Sequence, residues 1–161
     1  MEKCVWSKTL LSSYKYFERI ALKIDSIIEN EATSSRNMSL NFVIRNGAFS
    51  VADRIIELSE RKKNLINLKV LTELTLARLS DENFSIISKR FFENVKIGDI
   101  FENVSIRTAF RKIDNAVLAF DKALKIQGYN DKKLEKMMLG EKWILDIKED
   151  ILTRNLNYAK A

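Results

Sequence analysis

The sequence predicts an all-α protein, and three observations carry that expectation. Its 161 residues contain no proline and four glycines, Gly47, Gly98, Gly128 and Gly140. Those two residue types cost a helix interior about 3 and about 1 kcal/mol relative to alanine, so their scarcity removes the usual breakers. Leucine, isoleucine, lysine, glutamate and asparagine are plentiful. Apolar residues also recur at steps of three and four along most of the chain, which is the period of one helical face.

The first helix is expected from about Ser7 to Glu29, because Leu10, Tyr14, Phe17, Ile20, Ile24 and Ile27 or Ile28 form one long stripe. Residues 30–39, NEATSSRNMS, are small and polar and read as a loop or linker. Leu40 to Ile44 is a brief apolar piece, helical or extended, closed by the turn dipeptide Asn46-Gly47. Helical spacing resumes at Ser50 with Val51, Ile55, Leu58 and Lys62. It continues through Leu65, Leu68, Leu71, Leu74 or Thr75, and Leu76 to Leu79, as one bent helix or two. The Arg61-Lys62-Lys63 cluster reads as a solvated face, with a phosphate contact as the alternative.

Ser80 then caps a helix whose Asp81 and Glu82 suit its positive end. Phe84, Ile87 and Phe91 are its apolar side, and Glu93-Asn94 breaks it. Ile97, Ile100, Phe101 and Val104 predict a short second helix. Ser105 caps a long third one, in which Ala109, Ile113, Ala116, Phe120 and Leu124 form the buried stripe against Phe84, Ile87, Phe91 and Ile100. Arg107, Arg111 and Asn115 repeat at four-residue steps on the neighbouring face, and Gly128 follows the helix end, where a left-handed residue is often needed. A short helix, a tight turn and a long helix with a basic front make a helix-turn-helix, whose second helix enters a major groove about 12 Å wide.

That arrangement assigns roles. Arg107 or Arg111 suits a bidentate bond to guanine, Asn115 suits adenine, and Thr108 lies on the same turn. Lys112 suits phosphate, and Ser105 combines its cap with an amide or hydroxyl for phosphate. The tail is expected to hold a short helix with Leu134, Met137 and Met138, an interruption at Gly140, and a last stripe of Trp143, Ile144, Ile147 and Ile151. The stripes at 10–28 and 143–151 are core-facing or, in the sharper reading, surfaces of a homodimer that would set two recognition helices on one palindrome. The regions are therefore an N-terminal helical part (1–79), the helix-turn-helix (80–128) and a helical tail (129–161).

The net charge is +6, but residues 81–126 hold eight Lys/Arg against seven Asp/Glu. A strongly DNA-dependent module concentrates more positive charge than that. The chain contains no histidine, so His-based acid-base catalysis and His-ligated metals are excluded, and no phosphate-cradling glycine motif occurs. Its single cysteine, Cys4, gives neither an internal disulfide nor a zinc motif. No enzyme, cofactor, signal segment or membrane span is expected, and the location expected is cytoplasmic.

Residues 79–120 resemble region four of bacterial sigma factors and the small regulators that share this module. LSDEN opens the match, SKRFFENVKIGDI forms its middle and SIRTAFRKIDNA its end. Arg90, Phe91 and Phe92 stand at the family's Arg-Tyr/Phe-Phe signature, and Asp99-Ile100 stands where Glu-Ile is usual. Ser105, Thr108, Ile113 and Ala116 fit its recognition helix. Phe101 replaces a usual small alanine, and the run from there to Ser105 is shorter than the family pattern, so the first helix or the turn is expected to be truncated or rotated. The ends, WSKTLLSSYKYFERIALKID and GYNDKKLEKMML with EKWILDI, are similar to sigma-like regulators of low-GC Gram-positive bacteria and their phages. The resemblance implies a DNA-binding transcription regulator without the promoter-melting region of a true sigma factor. The alternative is a helical protein-interaction module that contacts RNA polymerase or another regulator.

Overall fold

The computed structural model describes residues 3–37 and 48–160, and the regular structure among them is helical throughout. Seven helices are present among the described residues. They are α1 (Val5–Asn37), α2 (Ala48–Leu76), α3 (Asp81–Ile87), α4 (Ile97–Ile100), α5 (Ile106–Ile126), α6 (Asp131–Met138) and α7 (Lys142–Lys160). None of them is long and apolar enough to cross a membrane. The brief apolar piece at 40–44 and the Asn46-Gly47 turn lie outside the described residues. Two compact units divide the chain. One takes in residues up to Lys15 and from Val70 onward, and the other runs Tyr16–Lys69.

Within the unit Tyr16–Lys69, Phe17, Ala21, Ile24, Leu65 and Leu68 are buried, as their spacing predicted. The expected break after Glu29 does not occur, because α1 continues to Asn37. No glycine or proline lies in 30–37, and its small polar residues cost a helix only up to about 0.7 kcal/mol each. Glu31 is also engaged there by Arg54 at 3.2 Å. Residues 50–76 belong to a single helix. Lys62, from the basic cluster, pairs with Asp25 at 2.7 Å rather than standing as a free phosphate ligand.

The other unit begins with a crowded helix end. Trp6, Ser7, Thr9, Leu10, Leu11 and Ser13 are all buried, so the start of α1 is enclosed on several sides. Its hydroxyls are accommodated because they bond backward. Thr9 donates to the Val5 carbonyl and Ser13 to that of Thr9, each at 2.7 Å. Thr75, on α2, does the same to Leu71 at 2.7 Å and also accepts from the Gln127 amide at 2.8 Å. The apolar interior is filled by Leu71, Leu76, Ile86, Ile87, Leu134, Met138 and Ile144, with the back of α5.

Ser80 caps α3 by accepting the Asn83 amide, with Asp81 and Glu82 in the first turn. The helix then widens by one residue over Ser88–Phe92, so that the Glu93 amide reaches the Ser88 carbonyl at 3.0 Å and the Val95 amide reaches Lys89 at 2.8 Å. Asn94 ends it in a left-handed conformation, φ +53°. Phe92 stacks at a tilt on Tyr14, 4.8 Å between ring centroids, and the Tyr14 hydroxyl donates to Glu73 at 2.7 Å.

One expected core position is corrected. Phe84 is exposed, whereas Ile86 and Ile87 are both buried. The buried face is centred between those two residues, and Phe84 lies roughly 110° around the axis from that centre. Phe91 and Ile100 are half-buried.

Candidate nucleic-acid interface

The site is built on α5, which at 21 residues is roughly 32 Å long. Its start is fixed by Ser105. The serine backbone is extended, and its Oγ accepts the Thr108 amide at 3.2 Å while donating to the Thr108 hydroxyl at 3.0 Å. The amides of Ile106 and Arg107 are left at the helix mouth, where no carbonyl of the same helix can reach them. The far end closes as expected around Gly128, at φ +92°. The Gly128 amide donates to Lys125 and the Tyr129 amide to Leu124, both at 3.0 Å, which is the Schellman pattern.

The back of α5 is the predicted stripe. Ala109, Ile113, Ala116, Phe120 and Leu124 are buried, joined by Val117, and α3 and α4 both pack against this helix. One polar group is buried among them, Asp121. Its carboxylate accepts the Ser7 hydroxyl at 2.7 Å and pairs with Lys125 at 2.8 Å. The pair raises the Lys125 ammonium above the ordinary lysine value, first through the hydrogen bond to Asp121 and then through its charge. The second acid of the helix, Asp114, lies 3.9 Å from Lys8. Asp121 is thus matched inside the fold, whereas Asp114 stays exposed on the arginine side of the helix, three residues beyond Arg111.

The front carries the candidates. Ser105, Arg107, Arg111 and Asn115 are exposed, while Thr108 and Lys112 are half-buried. Among the described residues, neither Arg107 nor Arg111 lies within ion-pair distance of a carboxylate. Lys112 stands aside from the arginine row, with its ammonium 5.6 Å from the centre of the Phe101 ring. Phe101 therefore leaves the arginines where they were expected and engages the neighbouring lysine instead. The short helix expected to include Phe101 and Val104 is a single turn, α4, that stops at Ile100. Asn103 then takes a left-handed φ of +56° on the way into the cap.

Two features went unseen in the sequence. Lys122 is exposed and extends the row of Arg111 and Asn115 along the same face, since it lies seven residues, about two helical turns, beyond Asn115. The neutralising contact of Lys8 with Asp114 joins positions 106 residues apart, and no local pattern announces it. As for the stripes considered for a dimer, Leu10, Phe17, Ile24 and Ile144 are buried within the chain, and Ile20, Ile27, Ile28, Ile147 and Ile151 are half-buried. Comparison with protein families, characterised proteins and solved structures gives no match to this chain.

Proposed function

We propose that this protein is a sequence-specific DNA-binding transcription regulator that lays α5 in the major groove of double-stranded DNA. The observation that carries the reading is the pair Arg107 and Arg111, exposed on the outward face of a capped, well-packed helix and outside ion-pair distance of any carboxylate among the described residues. Of the two acids of α5, Asp121 is buried against Lys125, and Asp114 has the Lys8 ammonium 3.9 Å away. Arg107 and Arg111 supply guanine readout and Asn115 adenine readout, while Lys122 joins Lys112 as a cation for the phosphate backbone. The Ser105 cap leaves the Ile106 and Arg107 amides for a phosphate oxygen beside the helix mouth.

A second reading is favoured by one observation, the single-turn α4, which braces α5 less than a full helix would. In that reading the same surface docks on a protein such as RNA polymerase. A binding titration against DNA from upstream of the protein's own gene, at two salt concentrations, separates the two. The DNA reading expects wild type to bind and Arg107→Ala to lose about 1–3 kcal/mol with relaxed preference at one base pair. Lys112→Ala should weaken all sequences alike and lower the salt slope by about one phosphate contact. The same titration gives stoichiometry, and two copies per site is the result for a homodimer on a palindrome. Equal binding by wild type and an Arg107→Ala/Arg111→Ala double variant, or none by either, favours the protein-docking reading.

A further inference from the structure

The first two turns of α5 expose apolar side chains that its fold covers only in part. Ile106 is 70% and Phe110 41% exposed, although both stand on a helix whose back is fully packed. They are four residues apart, so they adjoin on the helix surface and form a row parallel to Arg107 and Arg111. Phe110 lies roughly 60° around the axis from Arg107, close enough to share one docking surface with it. Single exposed apolar residues are ordinary on protein surfaces. Two adjacent ones beside unpaired arginines, at the end of the helix where groove-reading helices meet base edges, call for an apolar counterpart. The acid nearest Phe110 on that face, Asp114, has the Lys8 ammonium 3.9 Å away.

The partner's charge is set by the arginines, and its apolar component by Ile106 and Phe110. In a major groove the only apolar substituent offered by the bases is the thymine C5-methyl group. We propose that Ile106 and Phe110 recognise thymine methyls, so that the preferred target places thymine beside the guanine read by Arg107 or Arg111. Phe110 offers the larger apolar side chain of the two, at the second position of the row. Thr108 is a weaker candidate for the same task, being half-buried and held to Ser105 through its hydroxyl. This inference rests on the DNA reading and adds the base composition of the target.

The test uses duplexes that the full-length protein selects from a randomised DNA pool. Each thymine of the selected site is replaced in turn by uracil, which keeps the base pair and removes only the methyl group. Wild type should lose about fourfold in affinity for each methyl it contacts, the worth of one buried carbon. Phe110→Ala, verified as folded by circular dichroism, should bind the thymine duplex more weakly and be indifferent to uracil at its contact position. Indifference of wild type to every uracil, with Arg107→Ala still impaired, would overturn the thymine assignment and leave DNA binding standing. Undiminished uracil sensitivity in both Phe110→Ala and Ile106→Ala would assign the methyl contact elsewhere and equally overturn it. Failure to select any sequence would remove the DNA reading and this inference together.

Discussion

The orientation of α5 depends on a buried polar tie, and a double-mutant cycle on Ser7 and Asp121 measures it. In Asp121→Ala the Ser7 hydroxyl, buried and donating at 2.7 Å, loses its acceptor. An unsatisfied buried donor costs about 1–3 kcal/mol. Lys125 loses its carboxylate too, but its side chain is half-exposed and returns to water, so that part is discounted to at most about 1 kcal/mol. The expected total is about 1–4 kcal/mol. Ser7→Ala removes one hydrogen bond from a carboxylate that keeps Lys125, and should cost about 1.5–3 kcal/mol. Once either partner is gone the other has little left to lose, so the double variant should fall short of additivity by about 1–2 kcal/mol. Asp121→Asn retains an oxygen acceptor for Ser7 and should be milder than Asp121→Ala. The assay is urea unfolding followed by tryptophan fluorescence, because Trp6 and Trp143 both lie in the unit that holds this tie. Alkaline titration adds a sign. The folded-state value of Lys125 is raised, so its contribution is full below the unfolded lysine value of about 10.4 and disappears as pH climbs through the folded one. Additive single-variant losses, within about 0.5 kcal/mol, would refute the coupling.

Three further outcomes are expected. Ile113→Ala should destabilise by about 2–5 kcal/mol in the same urea assay, whereas exposed Phe84→Ala should change stability by no more than about 0.5 kcal/mol. Gly128→Ala forces a Cβ into a left-handed position at the end of α5 and should cost about 1 kcal/mol, read as a shift in the urea midpoint. The Cys4 thiol is pushed above its ordinary value by burial and then by the charge of Asp121. It should react with a disulfide reagent at pH 8 more slowly in the folded protein than in urea, and faster in Asp121→Asn than in wild type.

What the sequence disclosed follows from how local each determinant is. The caps at Ser80 and Ser105 and the left-handed close at Gly128 depend on three or four neighbouring residues, and each was legible. So was the buried stripe from Ala109 to Leu124, whose period is a property of the helix alone. Phe84 was misplaced because a seven-residue helix offers too few turns to fix a stripe, and Ile86-Ile87 sets the buried face instead. The helix past Glu29 was missed because polar, small residues suggest a loop, yet none of them stops a helix already formed. The charge balance was the least legible feature. Lys8 with Asp114 and Ser7 with Asp121 join residues more than a hundred positions apart, so the surroundings of both acids depend on contacts that no local pattern encodes.

DNA contact by the outer face of α5, as proposed, can be read directly. Backbone and arginine side-chain resonances of this 18.7 kDa protein, followed by NMR as a duplex bound by wild type is added, test it residue by residue. The account predicts that the largest shifts fall on Ser105, Arg107, Thr108, Arg111, Asn115 and Lys122, with the arginine Nε signals of 107 and 111 moving most. Shifts concentrated in Tyr16–Lys69 or on the helical tail, with Arg107 and Arg111 unmoved, would contradict it.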